Sequence, residues 1–289
     1  MGKLKDTLIE EVKLRGYSER TQEVYVSAVE KFIIYSKIKP SELTLDHVRK
    51  YKLHQIDSKL KPRTINQQIS AIKFFFVLVL KKQWDNYQFR SIKVPRKLPV
   101  ILSKKEIVTF LNSADDIAHK TIFMTMYSCG LRRYEVAKLK AEDIDSKRML
   151  LNIRDSKGNK DRNVILSEHL LDQLRFYWKE DSKDKKRWLF PSTTPDKHYN
   201  PSSFNRIFKN ILKKTSITKN VSCHSLRHSW ATHMLEEEVN LRYLQVLLGH
   251  SNISSTAIYT HLIDFRKVKV KSPLDLIANE IKKGGTNGN

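Results

Sequence analysis

Cysteine is nearly absent from this 289-residue chain: Cys129 and Cys223 are the only two, too few for a disulfide framework. A reducing compartment suits them, and the expectation is a cytosolic, cytoplasmic protein. Glycine and proline are also scarce, eight of each, which excludes a collagenous or low-complexity chain. No apolar run reaches the ~18 residues that a transmembrane helix needs. The opening MGKLKDTLIEE is charged and helical, without the apolar core of a signal peptide. Acidic residues are in short supply as well: 31 Asp+Glu face 54 Lys+Arg, for a formal charge of +23. So basic a chain favours a polyanionic partner, whether DNA, RNA or an anionic membrane surface. No basic amphipathic helix with an extended apolar face stands out, which argues against the membrane.

The length suits two domains. The clearest join is Val94-Pro95-Arg96-Lys97-Leu98-Pro99, whose prolines and cations suit a short extended linker. Residues 1–97 carry 21 basic and 10 acidic side chains, net +11, which leaves +12 for the remainder. Charge shared in this way suggests a clamp with two basic jaws rather than a single basic tail. The expected division is 1–93 helical, 94–102 linker, 103–264 a second domain and 265–289 tail.

The first half predicts helices only. Leu4, Leu8, Ile9 and Val12 recur at helical spacing, and Gly16 stops that run. Ser18 can cap a second helix with Tyr25, Val29, Phe32 and Ile33 on its apolar face. A weaker pattern follows over Leu43 to Ile56, then a fourth helix over Thr64 to Leu80 with Ile65, Ile69, Ile72 and Phe76 inward, and Pro62 and Arg63 are placed in the turn between them. The second half is mixed. Ser103 and Glu106 form a capping box. Ile122 to Cys129 is helical. Met149–Arg154 and Arg162–Leu166 predict strands of a hairpin whose long basic turn holds Lys157. Helical patterns resume over Glu168–Trp178, Ser202–Lys214, Ser225–Glu237, Leu241–Leu248 and Ser254–His261. The fold class expected is mostly α with a small antiparallel sheet.

Several residues could carry chemistry, and each has an ordinary structural alternative. His224 and Arg227, three apart, would share a helix face, where imidazole and guanidinium can meet one oxyanion. Arg132 opens a helix against the macrodipole preference, with Glu135 placed to orient it. Lys157 at a hairpin tip is ordinarily solvated, and Tyr259 late in a short helix is ordinarily a packing residue. His250 follows Gly249 at a helix stop. His224 and His228 could share a metal, but no His-Glu-x-x-His and no Cys-x-x-Cys accompanies them, so His228 and His233 are assigned to packing. No metal is expected. No phosphate-binding Gly-x-x-x-x-Gly-Lys-Ser/Thr loop and no clustered carboxylates occur either, so no cofactor is expected.

In order and spacing these pieces resemble one family. The run His224-Ser225-Leu226-Arg227-His228-Ser229-Trp230-Ala231-Thr232-His233, then Leu248-Gly249-His250-Ser251, then Ile258-Tyr259-Thr260-His261, resembles the C-terminal signature of the tyrosine recombinases (phage integrases). Gly130-Leu131-Arg132 with Glu135, and Lys157-Gly158-Asn159-Lys160-Asp161-Arg162, are similar to its upstream boxes. Departures are small: Trp230 where the family more often has Phe, and Cys129 where it often has Thr.

The resemblance implies a SAM-like helical DNA-binding domain followed by a mixed α+β catalytic domain. It implies double-stranded DNA as partner and a site-specific recombinase that joins Tyr259 to a 3′-phosphate. Arg132 and Arg227 would clamp the phosphate, His224 would take or share the tyrosine proton, Lys157 would protonate the 5′-oxygen, and His250 would bond the phosphate. The cations are expected to favour the phenolate of Tyr259. A type IB topoisomerase and a non-catalytic DNA-binding regulator on the same scaffold are the rival readings.

The compact length looks Xer-type, and the ending Val270–Asp275 looks integron-type, although the stretch from Trp188 to His224 is short for the integron insertion. Leu274, Ile277, Ala278 and Ile281 form an apolar stripe in the tail. With the resemblance, that stripe implies exchange between protomers in a tetramer on two paired sites.

Overall fold

The structure, a computed structural model, describes residues 2–95, 97–156, 160–180, 187–194 and 196–263, with the backbone alone at 155, 156 and 160. Lys157 and the tail stripe, Leu274 to Ile281, lie outside the described residues. Two compact units divide at Lys97/Leu98, inside the Pro95–Pro99 stretch.

The first unit is helical: α1 Gly2–Leu14, α2 Glu19–Ser36, α3 Leu45–Asp57 and α4 Pro62–Phe74. Ser18 caps α2, its hydroxyl accepting from the Thr21 N–H at 3.2 Å. Pro62 is not in the preceding turn but in the first turn of α4, where its missing N–H removes no helical bond. The expected run to Leu80 is not one regular helix. After Phe74 it widens into a π turn over Phe75–Val79, which turns both Phe75 and Phe76 inward. They pack with Leu8, Val12, Phe32 and Ile72 in a core of the unit's own.

The second unit begins with α5 Lys104–Asn112, held by the Ser103/Glu106 capping box: Glu106 N–H donates to Ser103 Oγ (3.2 Å) and Ser103 N–H to Glu106 Oε2 (2.7 Å). Next comes α6 Ile117–Ser128, which starts earlier than its apolar pattern because Asp116 caps it, accepting from the His119 N–H at 2.7 Å. Then follow α7 Arg133–Ala137, β1 Ile144–Asp145, β2 Leu150–Ser156 and β3 Lys160–Ile165. The sheet is antiparallel in the order β1-β2-β3, with Leu150 opposite Ile165 and Ile153 opposite Arg162. At two residues, β1 is too short for any alternation to reveal. The remaining helices are α8 Glu168–Glu180, α9 Phe204–Leu212, α10 Cys223–Glu236, α11 Leu241–Leu248 and α12 Ser254–Ala257, which runs into a 3₁₀ turn over Ile258–Leu262. Among the described residues no helix is long and apolar enough to cross a membrane.

Helix α10 is buried on nearly every side, from Cys223 through Leu226, Arg227 and Trp230 to Glu236. A central helix of that kind must satisfy its polar groups internally. Ser229 Oγ accepts from Leu102 N–H and donates to Ser225 O, both at 2.8 Å, and His233 Nδ1 lies 2.9 Å from the Tyr127 hydroxyl.

Gly130, just past the end of α6, adopts φ +60°, and a Cβ there would lie 2.3 Å from Cε3 of Trp230. Gly130→Ala combines left-handed strain with overpacking against a buried indole. It is expected to destabilise the unit by about 2–4 kcal/mol, read as a lower urea midpoint with unchanged m. An unchanged midpoint would show that the ring moves aside freely.

Candidate active site

The site is built around one carboxylate. Glu135 lies buried in α7, and its Oε2 accepts the Arg132 N–H at 2.7 Å. Arg132 Nη1 donates to Oε1 at 2.8 Å. Arg162, on β3, adds a bidentate pair: Nη1 to Oε1 at 3.0 Å and Nη2 to Oε2 at 2.9 Å. Arg227 Nη1 stands 3.9 Å from Oε2. Burial alone would raise the Glu135 pKa. The hydrogen bonds and charge of Arg162, the Arg132 N–H and the charge of Arg227 outweigh it and hold the carboxyl at about 2. Three guanidiniums around one carboxylate leave a formal surplus of two positive charges, from three minus one.

Arg227 is the most enclosed of the three, 1% exposed. Its Nη1 donates to the Gly130 carbonyl and its Nη2 to the Leu248 carbonyl, each at 2.6 Å. Those acceptors terminate α6 and α11, so the cation sits between the negative ends of two helices. Gly130 and Gly249, at φ +60° and +61°, turn the chain away at both places. Burial first, then the charge of Arg132, push the Arg227 pKa down to about 9, which leaves it charged at neutral pH. A guanidinium has five N–H donors, so donors remain for an anion.

Arg227 Nη2 also lies 3.1 Å from Nε2 of His250, whose Nδ1 is 2.9 Å from Thr256 Oγ1. Because Arg only donates, His250 Nε2 accepts and Nδ1 carries the proton toward Thr256. Burial, then the charges of Arg227, Arg132 and Arg162, hold His250 down to about 4, in keeping with that neutral ring.

Tyr259 lies in the 3₁₀ turn after α12, its ring 2% exposed. Burial raises its pKa despite the opposing pull of Arg227 and Arg132, so the hydroxyl is a phenol here. The cations do pull toward the phenolate, as the sequence leads one to expect, but in the free protein desolvation outweighs them. The hydroxyl is 3.1 Å from Nδ1 of His228, not of His224. His228, which the sequence reads as a packing residue, thus also touches the hydroxyl of Tyr259. It lies one helical turn past His224, with their ring centroids 4.6 Å apart.

His224 remains exposed at the start of α10. Desolvation and the charges of Arg227, Arg132 and Arg133 lower its pKa to about 4. Among the described residues no three metal-ligating side chains cluster.

The structure thus gathers Arg132, Glu135, Arg227, His250 and Tyr259, with His224 at the rim. Arg162 belongs to the hairpin motif, which by itself does not mark it as a site residue. Strand alternation was the signal, because it places Arg162 on the face of buried Val164. A cation on a core face needs a buried anion, and Glu135 is that anion.

Comparison with known proteins agrees in extent with both units. The profile of the Phage integrase family matches residues 101–265, and that of the Phage integrase N-terminal SAM-like domain matches 4–86. A protein of Sinorhizobium fredii, provisionally named an integrase/recombinase, is 35% identical over 282 residues, 96% of this chain and 90% of its own. The tyrosine recombinase XerA of Pyrococcus horikoshii is 32% identical over 252 residues, 86% of this chain and 85% of its own. Among solved structures, the XerA recombinase crystal structure superposes with a TM-score of 0.53 at 26% identity, covering 100% of this chain and 99% of that one. The XerH site-specific recombinase bound to a palindromic difH substrate reaches 0.69 at 21% identity, covering 89% and 80%, a likeness of fold.

Proposed function

The chain belongs to the phage integrase family, the tyrosine recombinases, and from that membership we propose that it cuts and rejoins double-stranded DNA at specific sites through a 3′-phosphotyrosine on Tyr259, without metal or ATP. One observation carries the proposal: a phenol hydroxyl stands beside a buried arginine cluster with surplus positive charge. A phosphodiester brings one negative charge to such a site, and its pentavalent transition state brings more. Fixed donors are worth most where charge develops.

In this reading Arg132 and Arg227 hold the non-bridging oxygens. Arg162 gives three of its five N–H donors to Glu135 and to the Leu247 carbonyl (2.8 Å), so its role in this reading is to position the clamp. His250 steadies Arg227 and, when protonated, donates to the phosphate. His224, at the exposed rim, meets a phosphate oxygen, and Lys157 protonates the departing 5′-oxygen. The bond to Tyr259 keeps the energy of the broken phosphodiester, so a 5′-hydroxyl can reseal it without ATP. Residues 1–93 grip the duplex as a second jaw. Residues 265–289 link protomers in a tetramer on two paired sites, in the cytoplasm.

The test begins with a duplex selected by the protein from a random library, then nicked so that the 5′-ended fragment diffuses away after cleavage. Incubated with EDTA and no nucleotide, the protein is expected to form a denaturant-resistant adduct whose labelled peptide contains Tyr259. Cleavage that needs a divalent metal, or that leaves a free 3′-end, would remove the proposal.

A further inference from the structure

We propose that His228 accepts the proton of Tyr259 as its oxygen attacks phosphorus, and returns it when the tyrosine leaves. The inference rests on the reading of Tyr259 as nucleophile and adds to it the group that makes the phenol reactive.

Geometry is the ground for it. The hydroxyl contacts two groups, Arg227 and Nδ1 of His228 at 3.1 Å. Arg227 can only donate, so of these two His228 alone can receive a proton. His224 is the other imidazole of the first turns of α10, and its ring meets that of His228 edge-on, centroids 4.6 Å apart. His228 is adjacent to Arg227 on a helix packed on nearly all sides, so the acceptor and the phosphate clamp move as one piece.

The free ring is neutral: burial, then the charges of His224 and Arg227, hold it at about 4. Its neighbours with charge or titrating protons are His224, Arg227, His250 and Tyr259 itself. A phosphodiester seated on Arg227 offsets the charge that depresses His228. The base therefore strengthens when the substrate arrives and stays weak when the site is empty.

The step balances. The Tyr259 O–H bond breaks and its proton goes to His228 Nδ1. The Tyr259 O–P bond forms, the P–O5′ bond breaks, and the leaving oxygen takes a proton from Lys157. Religation runs each transfer backwards.

Single-turnover adduct formation by the full chain on the nicked duplex tests the inference. His228→Ala is expected to slow it by about 10²–10⁴-fold with DNA binding unchanged. His228→Asn presents an amide oxygen that can hold the hydroxyl but cannot take a proton, and is expected to be as slow. Placing 3-fluorotyrosine at 259 makes the phenol more acidic, so it should recover about tenfold or more of the rate in either variant and little in the parent, following Brønsted behaviour. Near-parent rates in His228→Ala, full recovery in His228→Asn, or a defect untouched by fluorination would overturn the assignment and leave His228 a packing or positioning residue. If His228→Ala does not fold, His228→Asn with and without fluorination decides. An adduct mapped away from Tyr259 would instead sink the nucleophile reading, a result separable from any of these.

Discussion

Tyr259→Phe is expected to bind its DNA as tightly as the parent chain and to form no covalent adduct. The ring packs with Trp230, Ala231, Leu244 and Leu248, and Phe preserves those contacts. Only the hydroxyl and its bonds to His228 and Arg227 are lost, a change of about 1–3 kcal/mol in folding stability. Binding draws on a chain of formal charge +23, most of it remote from position 259, so affinity and its salt dependence should hold. A mobility-shift gel paired with a denaturing gel reads both quantities from one incubation. Adduct at the parent level from the Phe variant would falsify the assignment of the nucleophile.

The second large effect belongs to Glu135, and it concerns stability as much as catalysis. Glu135→Ala leaves Arg132, Arg162 and Arg227 facing one another with no counter-charge, two of them deeply enclosed. Removing one partner from a buried ionic network costs about 3–5 kcal/mol. The same carboxyl makes folding acid-sensitive. Its pKa falls from 4.5 unfolded to about 2 folded, so the stabilisation is fully present above 4.5 and is lost as pH drops toward 2. That shift corresponds to roughly 3 kcal/mol. Urea titrations of parent and Glu135→Gln chains should therefore differ clearly at pH 7 and converge as pH falls below about 4. Equal stability at pH 7 would mean that the arginines are held by their carbonyl and solvent contacts alone.

Much of this was legible in the sequence because local rules wrote it. The caps at Ser18 and Ser103 sit where side-chain chemistry placed them, and the hairpin strands follow their alternation. What escaped has physical reasons. Pro62 looks the same in a turn as in a first helical turn. The π turn after Phe74 arises from packing Phe75 and Phe76 together into the core, which no helical period encodes. The site's residue types were readable as motifs, but their partners were not. Arg227 is held by backbone carbonyls, which every residue owns, so no side-chain pattern points to Gly130 or Leu248. His228 reached Tyr259 through a contact spanning 31 positions. The balance between burial and cationic charge at Tyr259 depends on enclosure, which only three dimensions supply.

The anchoring of Arg227 also orders events in time. Its carbonyl partners lie 97 positions upstream and 21 downstream, and Arg162 reaches Leu247 across 85. Such distant pairings close late in folding, and synthesis runs from the N-terminus. A nascent or truncated chain that ends before Leu248 owns most of the arginines but cannot seat the central one, and it has no Tyr259. In the proposed reading, DNA breakage therefore becomes possible only once the chain has been made through Tyr259.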